Sequence, residues 1–82
     1  MLTLTKYTNT VEALDTDDLT LARTKIVMDQ DEEGAVLYGL MVADIQRTAP
    51  EDAYPDIHVV SSRKYIGLHD GEIVSVYTIT DA

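Results

Sequence analysis

The chain contains no cysteine, phenylalanine or tryptophan, and its 82 residues include only four glycines, two prolines and six basic side chains. Without cysteine there is no disulfide, thiolate nucleophile, zinc ribbon or iron–sulfur ligation, and the cytoplasm is the expected compartment. Without Phe or Trp, the core has to come from 25 Val, Ile, Leu and Met residues helped by five tyrosines and seven alanines. Such a core is dense, aliphatic and small. Ordering the chain costs about 1.5 kcal/mol per residue, which leaves little margin for a large buried active site. The glycines at 34, 39, 67 and 71 are dispersed, so no phosphate-cradling loop is expected. The longest apolar run, residues 35–43, is broken by Gly39 and too short to span a bilayer, and the first ten residues lack a basic head with a long apolar segment behind it. Neither export nor membrane embedding is expected.

Positive charge is the scarcest resource. Fifteen acids face six bases, a formal charge of −9. Lys6, Arg23, Lys25, Arg47, Arg63 and Lys64 are scattered, with one adjacent pair, so direct contact with nucleic acid or anionic lipid is disfavoured and a basic partner favoured. No internal repeat, low-complexity tract or linker interrupts the chain, which is expected to form one small domain over residues 1–82.

Local patterns set the expected elements. Leu2, Leu4, Lys6 and Thr8 alternate with Thr3, Thr5, Tyr7 and Asn9, the period of a strand with threonine on one face, resuming through Val11 and Ala13. Next comes Leu14-Asp15-Thr16-Asp17-Asp18-Leu19. Asp15 fits an N-cap, Asp18 the N3 position, and Leu14 and Leu19 a hydrophobic staple, which together predict a helix burying Leu19, Ala22, Ile26 and the stem of Arg23. Thr20, Thr24, Ile26 and Val27 are mediocre helix formers, so a strand over residues 19–28 is the alternative. After a turn at Gly34, residues 35–45 read as an apolar central strand. Pro50 and Pro55 bracket an irregular acidic loop. Residues 57–68 then pair with 72–80 through Asp70-Gly71, a dipeptide suited to a type I′ turn. His69 faces Glu72 in this register, and Ile57, Val59, Tyr65, Ile73 and Val76 supply apolar surface. The expected fold is α+β, one helix packed on a curved antiparallel sheet of about four strands, in the order β-α-β-β-β.

No constellation for catalysis stands out. His58 and His69 lack metal-ligand spacing, and Ser61, Ser62 and Ser75 sit in no nucleophile elbow, so no catalytic residue is assigned. Residues 29–34 open like a calcium loop, with oxygen ligands at positions one, three and five and glycine at six. The match ends at position twelve, where Leu40 replaces the bidentate glutamate, so neither a metal nor another cofactor is expected.

The acids are clustered. Asp15, Asp17 and Asp18 lie at the expected helix start, where they suit its dipole, and Asp29, Asp31, Glu32 and Glu33 at its end, where they oppose it. A helix of about 14 residues holds such poles roughly 20 Å apart, a separation of several phosphates along one DNA strand. A third group, Glu51, Asp52, Tyr54 and Asp56, places an aromatic among carboxylates beside Pro55, the composition of an interface anchor, unless Tyr54 folds back over the sheet edge.

The order of Val11-Glu12-Ala13, a short Asp-rich connection, Leu19-Thr20-Leu21-Ala22-Arg23, Gly34 and paired strands resembles that of small phage-encoded anti-defence proteins of the anti-CRISPR type. The resemblance spans about half the chain and implies an acidic inhibitor that covers the nucleic-acid-binding surface of a bacterial immune complex in the host cytoplasm. The residues themselves point to a binding protein whose acids replace phosphate on a basic nucleic-acid-binding partner. The alternative is a small structural or assembly subunit acting through a strand edge or apolar oligomer contacts. A homodimer is compatible with either.

Overall fold

The computed structural model describes residues 1–9 and 14–81. The first strand, β1 (Leu2–Thr8), follows the expected alternation; its resumption through Val11 and Ala13 lies outside the described residues. The threonine face is real. Thr3 stands across from Thr80 and Thr5 from Thr78, and the two β1 threonines of these cross-strand pairs are buried.

The cap-and-staple segment departs from expectation. Asp15 Oδ1 accepts the Asp17 and Asp18 N–H groups at 2.9 and 3.3 Å, and Asp18 caps a 3-10 turn, Leu19–Leu21, by accepting the Thr20 N–H at 3.1 Å. The helix stops after that one turn. The β-branched residues beyond it favour extended backbone, and Thr24–Asp31 forms the edge strand β2, antiparallel to β1. Ile26, assigned above to a buried helical stripe, is half exposed on this edge.

The apolar run that reads as a central strand is instead the helix α1 (Gly34–Thr48). Leu37, Met41, Asp44 and Ile45 fall on one stripe at spacings of four, three and one, and all four are buried. Arg47 in the last turn suits the dipole, and Pro50 follows the C-cap residue Ala49. The segment 57–68 is divided: β3 (Pro55–Ser61) and β4 (Lys64–His69) form their own hairpin. Asp70-Gly71 joins β4 to β5 (Glu72–Asp81) as expected, with φ of 52° and 82°, and His69 does pair with Glu72.

One helix therefore packs on a five-stranded antiparallel sheet of spatial order β2-β1-β5-β4-β3. The chain order is β-β-α-β-β-β, one strand more than expected and with the helix displaced to follow β2. Leu4, Leu37, Met41, Tyr65, Tyr77 and Ile79 form the core between helix and sheet, with Leu2, Met28 and Ile57 packed against it. Val76 is buried as expected, whereas Val59 and Ile73 are about half exposed. On the opposite face of the sheet the Lys64 ammonium donates to the Thr16 carbonyl, tying the β1–β2 connection to that face, and Leu14 is buried. Among the described residues no helix is long and apolar enough to cross a membrane.

Candidate functional site

Chemistry concentrates where α1 crosses β1 and β5. Asp44 sits on the buried stripe of the helix with its side chain only 4% exposed, directly above the row formed by Lys6 and Tyr77. Its Oδ2 accepts from Lys6 Nζ at 2.7 Å and from the Tyr77 hydroxyl at 2.7 Å, and its Oδ1 accepts from Arg47 at 2.6 Å. Lys6 Nζ also lies 5.8 Å from the centroid of the Tyr77 ring, within cation–π reach. One carboxylate thus holds two cations and a phenol.

Burial pushes the Asp44 carboxyl up. The Lys6 and Tyr77 hydrogen bonds, the Lys6 charge and the Arg47 hydrogen bond outweigh it, so the group lies below the usual aspartate range. Burial, reinforced by the Asp44 hydrogen bond, drives the Tyr77 hydroxyl the other way, well above an ordinary phenol. Asp44 remains ionised and Tyr77 remains a donor. Tyr77→Phe, which keeps the ring and deletes only the hydroxyl, should cost about 1–2 kcal/mol by urea unfolding, because Asp44 keeps two of its three donors.

Two grooves flank the helix. On the β2 side, a space of about 250 Å³ is lined by Met28, Asp29, Leu40, Ala43, Asp44 and Arg47. Toward β3, one of about 180 Å³ includes Tyr38, Val42, Gln46, Asp56 and Ile57 in its lining. The Asp44 cluster was not among the residues singled out from the sequence. Its signals were present: Lys6 stands on the apolar face of β1 behind Leu2 and Leu4, and Asp44 is the single acid inside an apolar run.

The acids singled out from the sequence are separated by the fold. Asp15, Asp17 and Asp18 lie in the connection before the 3-10 turn. Asp29 and Asp31 are on β2, with Glu32 and Glu33 in the turn that enters α1, so this group precedes the N-terminus of a helix rather than following its C-terminus. The expected conflict with the C-terminal end of a helix dipole therefore does not arise for this group, and Glu33, at the N-cap, stands where the dipole favours a carboxylate. The calcium-loop resemblance also fails as geometry: positions 29–31 are extended strand, Asp29 Oδ1 accepts the Gln30 N–H, and Asp31 Oδ1 accepts the Glu33 N–H. Among the described residues no cluster of His, Asp and Glu is arranged to hold a metal.

Glu51, Asp52 and Tyr54 lie in the loop after α1, and Asp56 is the second residue of β3. This loop is pinned to the β4–β5 turn by Asp70 Oδ1, which accepts the Tyr54 N–H at 2.8 Å, and by the Asp70 N–H donating to the Tyr54 carbonyl. Tyr54 is 72% exposed, so it does not fold back over the sheet edge. Among the described residues, the ion pairs are Lys6–Asp44, Arg47–Asp44 and the N-terminal ammonium with Asp81. No family model matches the chain, and no curated protein or solved structure matches it.

Proposed function

We propose that the chain is an acidic, non-enzymatic binding protein that occupies a basic nucleic-acid-binding surface of a protein partner, as a phage anti-defence inhibitor of the anti-CRISPR type does. The observation that supports this most directly is how the charges are used. Lys6 and Arg47 both pair with Asp44, Lys6 beneath the helix and Arg47 at its surface, so a third of the basic side chains are spent on one acid. Outside the Asp44 cluster, 14 acids face four bases.

Glu32 and Glu33 immediately precede α1 and Glu51 and Asp52 follow it, and its 15 residues span about 22 Å, roughly six phosphate spacings of one DNA strand. Neither group has an ion-pair partner among the described residues. Lysines and arginines that ordinarily hold phosphate would meet carboxylates at comparable spacing, and long-range attraction would raise the rate of encounter.

The combined variant Asp31→Asn, Glu32→Gln and Glu33→Gln tests this. Affinity for a basic nucleic-acid-binding protein should fall about tenfold at low salt, and the difference from the parent chain should shrink as salt rises. Stability should drop by up to about 1 kcal/mol rather than rise, because these carboxylates precede a helix N-terminus. Unchanged affinity in a folded variant would remove this acidic group from the interface.

A second reading, an assembly subunit, is favoured by a different observation. The outward side of α1 carries no charge from Gly34 to Ala43 and exposes Val36, Tyr38 and Leu40, while the β3 edge exposes Val59 and Val60. Exposed apolar surface with an open strand edge is a usual basis for subunit contact. Sedimentation across salt concentrations separates the two: salt-insensitive self-association supports assembly, and a monomer whose partner binding weakens with salt supports the inhibitor.

A further inference from the structure

The two grooves beside α1 differ in character: the β2-side groove is mostly apolar, the β3-side groove more polar, and their charges differ. On the β2 side, Asp44 is already neutralised by Lys6 and Arg47, and Arg47 itself lines the space. An incoming cation there meets resident cations. On the β3 side Asp56 is the one charged lining residue, and its Oδ1 is engaged by a backbone N–H, that of Ile57. Val42 and Ile57 form apolar walls, Gln46 offers an amide oxygen, and Tyr38 is 39% exposed. The Tyr38 ring is held edge-on to Tyr65, with centroids 5.6 Å apart at 65°.

We infer that the α1–β3 groove receives an arginine side chain of the basic partner. This deepens the inhibitor reading and rests on it. Arginine suits the lining part by part. Its aliphatic stem covers Val42 and Ile57, its guanidinium carries charge to Asp56 and hydrogen to Gln46, and its planar, weakly hydrated head can lie against the Tyr38 ring. Lysine has the stem and the charge but neither the plane nor the fork of donors. The acidic loop 51–54 leads directly into Asp56, so a basic surface drawn to that loop is brought to the groove.

The test uses labelled penta-arginine and penta-lysine peptides at low ionic strength, with affinity read by anisotropy and contacts by amide NMR. Penta-arginine should bind several-fold more tightly than penta-lysine and shift signals from residues 38–46, 56 and 57. Gln46→Arg places a cation at the groove and should lower affinity about tenfold, whereas Ala43→Arg adds the same charge to the other groove and should change it less than about twofold. Asp56→Asn should lower affinity about fivefold with little disturbance of the fold.

Equal binding of the two peptides, equal effects of Gln46→Arg and Ala43→Arg, and shifts confined to 29–33 and 51–52 would overturn the groove and leave the acidic reading standing. Failure of both peptides to bind at low salt would overturn both.

Discussion

Asp44→Ala should cost about 3–5 kcal/mol of folding free energy, a large part of the roughly 5–15 kcal/mol that holds a domain together. The loss comes from what is left behind. Lys6 has a side chain only 16% exposed and would keep its charge beneath the helix without a counterion, and the Tyr77 hydroxyl would lose its acceptor. Arg47, 74% exposed, would turn to water at little cost. Urea unfolding should show a lower midpoint with an unchanged slope, and Lys6→Met in the same chain should recover part of the loss by removing the stranded cation. Asp29→Ala, in the same groove but exposed, should stay within about 0.5 kcal/mol. An Asp44→Ala protein within about 1 kcal/mol of the parent would mean that the cluster does not hold helix to sheet.

The same cluster fixes the sign of the pH dependence. Asp44 lies lower in the folded chain than in the unfolded one, so its contribution is complete above the unfolded value of about 3.9 and disappears as pH falls through the folded value. Tyr77 is raised on folding, so its contribution is complete below about 10 and is lost as pH rises past that point. Between these limits the parent and Asp44→Ala should differ by a constant amount. Toward strong acid the two stability curves should converge.

These residues also show which parts of the molecule could be read from the chain. β1 and the β4–β5 turn were legible because their signals are local: alternation in one case, and two adjacent residues tolerant of positive φ in the other. The helix and β2 were interchanged for opposite reasons. Around Asp15 and Asp18 the capping geometry is genuine, but it closes a single turn before β-branched residues extend the chain. In α1 the outward side is nearly as apolar as the inward side, which submerges the helical period beneath a continuous apolar run. Placement of the acids failed with that exchange, since a group assigned to one end of a helix proved to stand before the other. The meeting of Lys6, Asp44 and Tyr77 joins three elements through contacts 38 and 33 positions apart in sequence, and no local pattern encodes it.

Gly67 is the second place where one added group should have a large effect. It lies on β4 beneath α1, opposite Ser75, and a Cβ there would sit 2.5 Å from Ser75 Oγ, 2.7 Å from Ile45 Cδ1 and 3.1 Å from Tyr77 Cε2. All three neighbours belong to residues at most 2% exposed, so their side chains cannot swing into solvent. Gly67→Ala should cost about 1–3 kcal/mol, and Gly67→Val about 3 kcal/mol or more, because a branched side chain would lift the helix off the sheet. Ser75 Oγ is itself buried without a hydrogen-bond partner among the described residues. Ser75→Ala should therefore be neutral or slightly stabilising, and in combination it should recover part of the Gly67→Ala loss by removing the nearest clash. Additive losses in that double variant would mean that the clash with Ile45 sets the helix–sheet spacing. A Gly67→Val protein as stable as the parent would mean that α1 does not approach β4 as closely as this packing requires.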